Sequence, residues 1–204
     1  MRELKLRLAQ SLAVGRRFIQ EASEEDGIGA VYEIAKQTLD LNRELIANAD
    51  IEGALDLLDG ARQIVIFGAG GGSVVLAQEM QFRLVRLGYA VSAYSQALMP
   101  RMVAATLDPS DLVVALSVTG FTPEIVDAAR IARSYDAQVL ALTASDSPLA
   151  QQANVVLPIA ARETDFIYHP SSSRYAMLAA IDVLAMSLAP VSYTHLRAHE
   201  TKAN

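Results

Sequence analysis

Cysteine is absent from all 204 residues, so disulfides and thiol chemistry contribute nothing to this chain. The absence suits a reducing compartment. Long apolar runs are missing as well: none approaches the ~20 residues that cross a bilayer, and the opening MRELKLRLAQ has no hydrophobic stretch of the signal-peptide kind. The expected location is therefore cytoplasmic, with no membrane partner. Positive charge is in short supply, since 17 Lys and Arg stand against 23 Asp and Glu, a formal net charge of −6 that disfavours nonspecific nucleic-acid binding by the bulk of the chain. The balance is uneven along the sequence. Arg2, Lys5, Arg7, Arg16 and Arg17 make the opening basic, and Glu21, Glu24, Glu25 and Asp26 follow at once. Aromatic residues are only 6% of the chain, but 52% of it is hydrophobic, enough to bury the core of one α/β domain with a small appendage.

The chain divides into unequal parts. Leu4, Leu8 and Leu12, with Ala9 and Ala13, fall on one helical face that is too short to fold alone, and the polar QEASEEDG after it reads as a linker. A helical stretch follows from about Ile28 to Ala49, with Val31, Ile34, Ala35, Leu41, Leu45 and Ile46 at helical spacing; IEGALDLLDGA reads as another short helix. Beyond these the pattern alternates. QIVIFG, AVSAY, DLVVALS, QVLALT and NVVLP are short apolar runs, and the first four lead into helix-like stretches beginning near Ser73, Leu98, Thr122 and Ser147. Strands apolar on both faces, alternating with helices, predict an α/β fold: a five-stranded parallel sheet, doubly wound and flanked by helices. In such sheets ligands bind beyond the carboxyl ends of the strands, which directs attention to the loops after Phe67, Leu116 and Leu142.

Two of those loops carry chemistry. Gly68, Gly70, Gly71, Gly72 and Ser73 join the first strand to a helix, an arrangement that offers bare backbone N–H groups to an anion, although such glycines also serve simple chain reversal. In SVTGFTPE, the residues Ser117, Thr119 and Thr122 supply hydroxyl donors without a permanent charge, around Gly120. Thr122 is also placed to cap a helix that begins at Pro123, and one side chain can serve both purposes. A nucleotide fits less well than a smaller anion, because no acidic residue ends the second strand, where Ser95 and Gln96 alone face a ribose.

GAGGGS, DLVVALSVTGFTPE and ALTASDSPLAQQANVVLP resemble, in order and spacing, the sugar isomerase (SIS) domain. AQEMQFRLVRLGYAV, the SPLA segment and SSSRYAMLAAIDVLA further resemble the effector domain of RpiR-type bacterial transcriptional regulators. The resemblance implies that the two loops grip the phosphate of a sugar phosphate, that the domain works as a homodimer or tetramer, and that no cofactor or metal is needed. It also implies that residues 1–14 are the remnant of a helix-turn-helix domain, 15–27 a linker and 28–189 the phosphosugar-binding domain. DNA would then be met only through the missing helix-turn-helix. The glycine loop carries one residue more than the usual pattern, which leaves the phosphate contact open between Ser73 and the Gly72 amide.

An aldose–ketose isomerase is the alternative, and it requires a base that shuttles a proton between adjacent carbons. Glu163 and His169, with Arg162 and Asp165 nearby, are the candidates, but they sit in a polar segment of the solvated kind, so binding is the expected role. Ser171, Ser172, Ser173 and Arg174 open the last helix as ordinary caps or as groups reaching a phosphate. After Pro190 the apolar pattern fades. VSYTHLRAHET resembles translated adapter sequence, so residues 190–204 are read as a non-native tail, and the i,i+4 pair His195 and His199 is set aside as a metal site.

Overall fold

A computed structural model describes residues 27–96, 98–160 and 172–200. Five strands form one all-parallel sheet: β1 (Gln63–Gly68), β2 (Val91–Tyr94), β3 (Asp111–Ser117), β4 (Gln138–Thr143) and β5 (Val155–Pro158), in the order β2-β1-β3-β4-β5. The register aligns Gly68 with Leu116 and Ser117 with Thr143, so the two loops singled out above leave the sheet side by side.

Side chains explain why the central strands read as unbroken apolar runs. Ile64 and Ile66 of β1, Leu112, Val114 and Leu116 of β3, and Leu140 and Leu142 of β4 face one helical layer, while Val65, Phe67, Val113, Ala115, Val139 and Ala141 face the other. Both faces are covered, so both alternating sets are apolar. Phe67, Leu116 and Leu142 are fully buried, and each such burial contributes about 1.5–3 kcal/mol.

The first layer holds α1 (Gly27–Ala47), α2 (Ile51–Gly60), α3 (Gly71–Arg86) and α6 (Ser173–Glu200); α4 (Met99–Ala104) and α5 (Pro123–Ser134) cover the other face. Asp50 caps α2 by accepting the Gly53 N–H at 2.9 Å. Arg83 on α3 pairs with Glu79 one turn back and also with Asp182 on α6, pinning those two helices. At the edge of the sheet, the Gln81 side chain of α3 accepts the Ala93 N–H of β2 at 2.9 Å.

The expected elements recur within a few residues, with two differences. The stretch near Ser147 becomes a single 3-10 turn, Ala150–Gln152, because the Ser147 hydroxyl accepts the Ala150 N–H and the chain enters β5 directly afterwards. The last helix continues past Pro190 to Glu200. The basic opening and most of the linker lie outside the described residues, as do Arg162, Glu163, Asp165 and His169. Among the described residues no helix is long and apolar enough to cross a membrane.

Candidate functional site

The crossover direction reverses between β1 and β3: the connection after β1 leads to β2 on one side, and the connection after β3 leads to β4 on the other. The helices that follow them, α3 and α5, also sit on opposite faces. Such a switch point opens a crevice at the carboxyl edge of the sheet. A cavity of about 360 Å³ lies there, lined by the glycine loop, the hydroxyl loop and the start of α6.

The glycine wall is shaped by backbone that few other residues adopt. Gly70 and Gly71 have φ of +72° and +46°, and any side chain on Gly68 would run into the Ser73 carbonyl. Gly68 therefore lets α3 start close against β1. With Gly70 at the N-cap, no side chain caps α3. The Ser73 N–H turns back to the Gly70 carbonyl at 3.2 Å, whereas the N–H groups of Gly71 and Gly72 precede any acceptor the helix can supply. Those two amides stand at the positive end of a 16-residue helix, the kind of position that suits an anion. The Ser73 amide is occupied by its bond to Gly70, and the Ser73 side chain lines the cavity from a buried position beside the Gly72 amide.

Opposite stand the hydroxyls. Ser117 Oγ accepts the Gly120 N–H at 3.2 Å and lies 3.0 Å from Thr122 Oγ1. Two hydroxyls carry two protons, and their mutual bond uses one; the other remains for a ligand whichever oxygen holds it. Thr122 occupies the N-cap position of α5 with Pro123 after it, but its side chain makes no capping bond and is spent on Ser117 instead. Thr119 Oγ1 accepts the Phe121 N–H at 3.4 Å, a long contact that leaves its own proton available.

Behind this loop the SPLA segment acts as a buttress. Gly120 has φ +72°, and a Cβ there would collide with the Ser147 side chain and lie 2.5 Å from Thr143 Oγ1. The Leu149 N–H bonds the Gly120 carbonyl at 3.2 Å, and Thr143 and Ser147 share a buried hydroxyl contact at 3.3 Å. Gly68 and Gly120 accordingly sit behind the cavity wall, where they set its shape, while Gly70, Gly71, Gly72, Ser73, Ser117, Thr119 and Thr122 line it.

Ser173 and Arg174 complete the lining. The SSSR run marked them as able to reach a phosphate, but only the fold shows that the start of α6 closes the third side of the cavity. The Arg174 guanidinium is the one charged group among the described lining residues, and it is a cation. Among the described residues no cluster of three or more His, Cys, Asp and Glu could hold a metal ion.

Residues 57–187 match the SIS domain. This chain belongs to the SIS domain family. The match contains every described lining residue and begins after α1. The chain is 42% identical over 188 residues to the HTH-type transcriptional regulator HexR of Pseudomonas aeruginosa, covering 90% of this chain and 66% of that protein. The chain thus spans just under two thirds of that regulator. Among solved structures, the sugar isomerase domain of an RpiR transcription factor from Sphaerobacter thermophilus superposes with a TM-score of 0.75 at 23% identity, covering 87% of this chain and 99% of that one. The Vibrio vulnificus NanR protein, solved with ManNAc-6P, gives a TM-score of 0.76 at 23% identity, covering 91% of this chain and 70% of that one. These two likenesses establish the SIS fold.

Proposed function

We propose that this SIS domain senses a sugar phosphate. The phosphate docks on the Gly71 and Gly72 amides and on the hydroxyls of Ser73, Ser117, Thr119 and Thr122, with Arg174 supplying the positive charge at the rim. The observation that carries this reading is the composition of the switch-point cavity: an uncapped helix N-terminus facing a hydroxyl pair that retains one proton. Its similarity to HexR, and the sugar phosphate held by the fold relative NanR, support the class of ligand. In a regulator of that kind, occupancy biases a homodimer or tetramer between arrangements of different DNA affinity, with coupling typically of about 1–3 kcal/mol.

Sensing is favoured over aldose–ketose isomerisation by the similarity to the regulator HexR; the candidate bases for the isomerase, Glu163 and His169, lie outside the described residues. A thermal-shift screen with glucose 6-phosphate, fructose 6-phosphate, ribose 5-phosphate, ManNAc-6P and inorganic phosphate tests the proposal. Ligand at 100 times its dissociation constant adds about 2.7 kcal/mol, which raises Tm by roughly 5–10 °C for a chain of this size. Failure of every sugar phosphate to raise Tm refutes the reading. Turnover of one of them that is lost in Glu163→Gln would establish the isomerase instead.

A further inference from the structure

The helix α1 lies outside the SIS match, yet two of its residues, one turn apart, bond the residues on either side of 161–171: Ala160 through its backbone and Ser172 through its hydroxyl. Thr38 and Asn42 are both buried, at 3% and 2% exposure. Thr38 Oγ1 donates to the Ile34 carbonyl at 2.8 Å, and its single proton is thereby used. The 2.8 Å contact between Thr38 Oγ1 and Ser172 Oγ must then be a hydrogen bond donated by Ser172. Asn42 closes a two-point clamp on Ala160: its Oδ1 accepts the Ala160 N–H at 2.8 Å, and its Nδ2 donates to the Ala160 carbonyl at 2.9 Å and to the Thr38 carbonyl at 2.8 Å.

Ser172 immediately precedes Ser173 and Arg174, the two residues by which α6 enters the cavity. The start of α6 is therefore tied on one side to the site and on the other to α1. An anion that draws Ser173 and Arg174 toward the glycine loop pulls on a buried, directional bond whose other end is fixed in α1. A hydroxyl pair with no spare proton on one partner does not re-form elsewhere at no cost, and the close-packed surroundings transmit the strain.

We propose that Thr38 and Asn42 are positioning residues that set the α6 wall of the cavity and carry its occupancy to α1. The inference rests on the sugar-phosphate reading above. It makes α1 the helix through which the site communicates with whatever precedes it in the chain.

The absence of cysteine makes a clean test available. Tyr32→Cys on α1, where the side chain is 75% exposed, and Arg133→Cys on α5, across the sheet, give a unique pair of spin-label sites. Their distance distribution is measured by pulsed EPR with and without the sugar phosphate that gives the largest thermal shift, with inorganic phosphate as the control. Expected is a ligand-dependent shift in the labelled chain, its loss in Thr38→Val together with about tenfold weaker binding, and its return in Thr38→Ser, which restores the hydroxyl. Asn42→Asp keeps the acceptor for Ala160 but loses both donors, and it too should blunt the shift. Binding without any distance change, or a Thr38→Val chain that binds and responds like the parent, overturns the coupling and leaves the sensing reading intact. If no sugar phosphate binds the parent chain, the sensing reading falls and the coupling falls with it.

Discussion

Replacing Gly120 by alanine puts the geometry of the hydroxyl loop under direct test. At φ +72° an alanine pays the left-handed backbone penalty, about 1–2 kcal/mol. Its methyl group also enters space held by the Ser147 side chain and lies 2.5 Å from Thr143 Oγ1. Neither neighbour yields easily, because both are fully buried, they contact one another, and Ser147 also accepts the Ala150 N–H. Overpacking of this kind costs about 1–3 kcal/mol. Combined, the two effects predict a loss of about 2–5 kcal/mol, or a fall in Tm of roughly 4–20 °C. The Ser117 hydroxyl, held by the Gly120 N–H, moves with the loop, so sugar-phosphate affinity falls as well. Calorimetric melting and isothermal titration of Gly120→Ala give both quantities. Gly60→Ala serves as the control: nothing lies within 4 Å of a Cβ there, so the change should be neutral or stabilising by up to about 1 kcal/mol. A Gly120→Ala chain that melts within about 2 °C of the parent would refute the argument that the SPLA buttress fixes the loop.

Other outcomes follow from single contacts. Ser117→Ala removes the hydroxyl that shares a proton with Thr122 and should weaken sugar-phosphate binding by roughly tenfold or more by titration, since a hydrogen bond to a charged group contributes about 1.5–3 kcal/mol. Burial, aided by the Asp59 carboxylate that accepts its proton at 3.0 Å, pushes the Tyr89 phenol up to about 12. The folded state therefore holds that proton more tightly than the unfolded chain, and the stabilisation is full below pH ~10 and lost as pH rises toward 12. Urea melts across that range should show the slope, and Tyr89→Phe should flatten it. On the acid side, the Arg101 guanidinium, bonded to Asp127 at 2.7 Å, holds that carboxyl below its ordinary value. Its contribution is present above pH ~4 and disappears as pH falls further, so Asp127→Asn should remove that part of the acid dependence.

Much of the fold was legible because the sheet is buried on both sides. DLVVALS can hardly be anything but a central strand when all seven positions are buried, and QIVIFG and QVLALT follow the same logic. The two loops of the site were also legible, since glycine before a helix and hydroxyls around a glycine have local reasons to exist. What sequence did not show was the third wall. Ser173 and Arg174 are more than fifty residues from the hydroxyl loop, and only the placement of α6 beside α3 brings them to the cavity. Local propensity also misjudged two details. Thr122 has the right residue type and position for a cap, but the competing Ser117 hydroxyl takes its side chain. The SPLA segment has helix-starting chemistry, but the tertiary demand to support Gly120 ends it after one turn.

The Gln81 side chain at the border of the sheet bears on how copies of this molecule can meet. By occupying the Ala93 N–H it imitates the carbonyl of a sixth strand, and β2 offers only four residues for pairing. That border thus discourages strand exchange and fibril growth. Any association between copies at that border would then fall to helical faces, where it can loosen and re-form without unzipping a sheet.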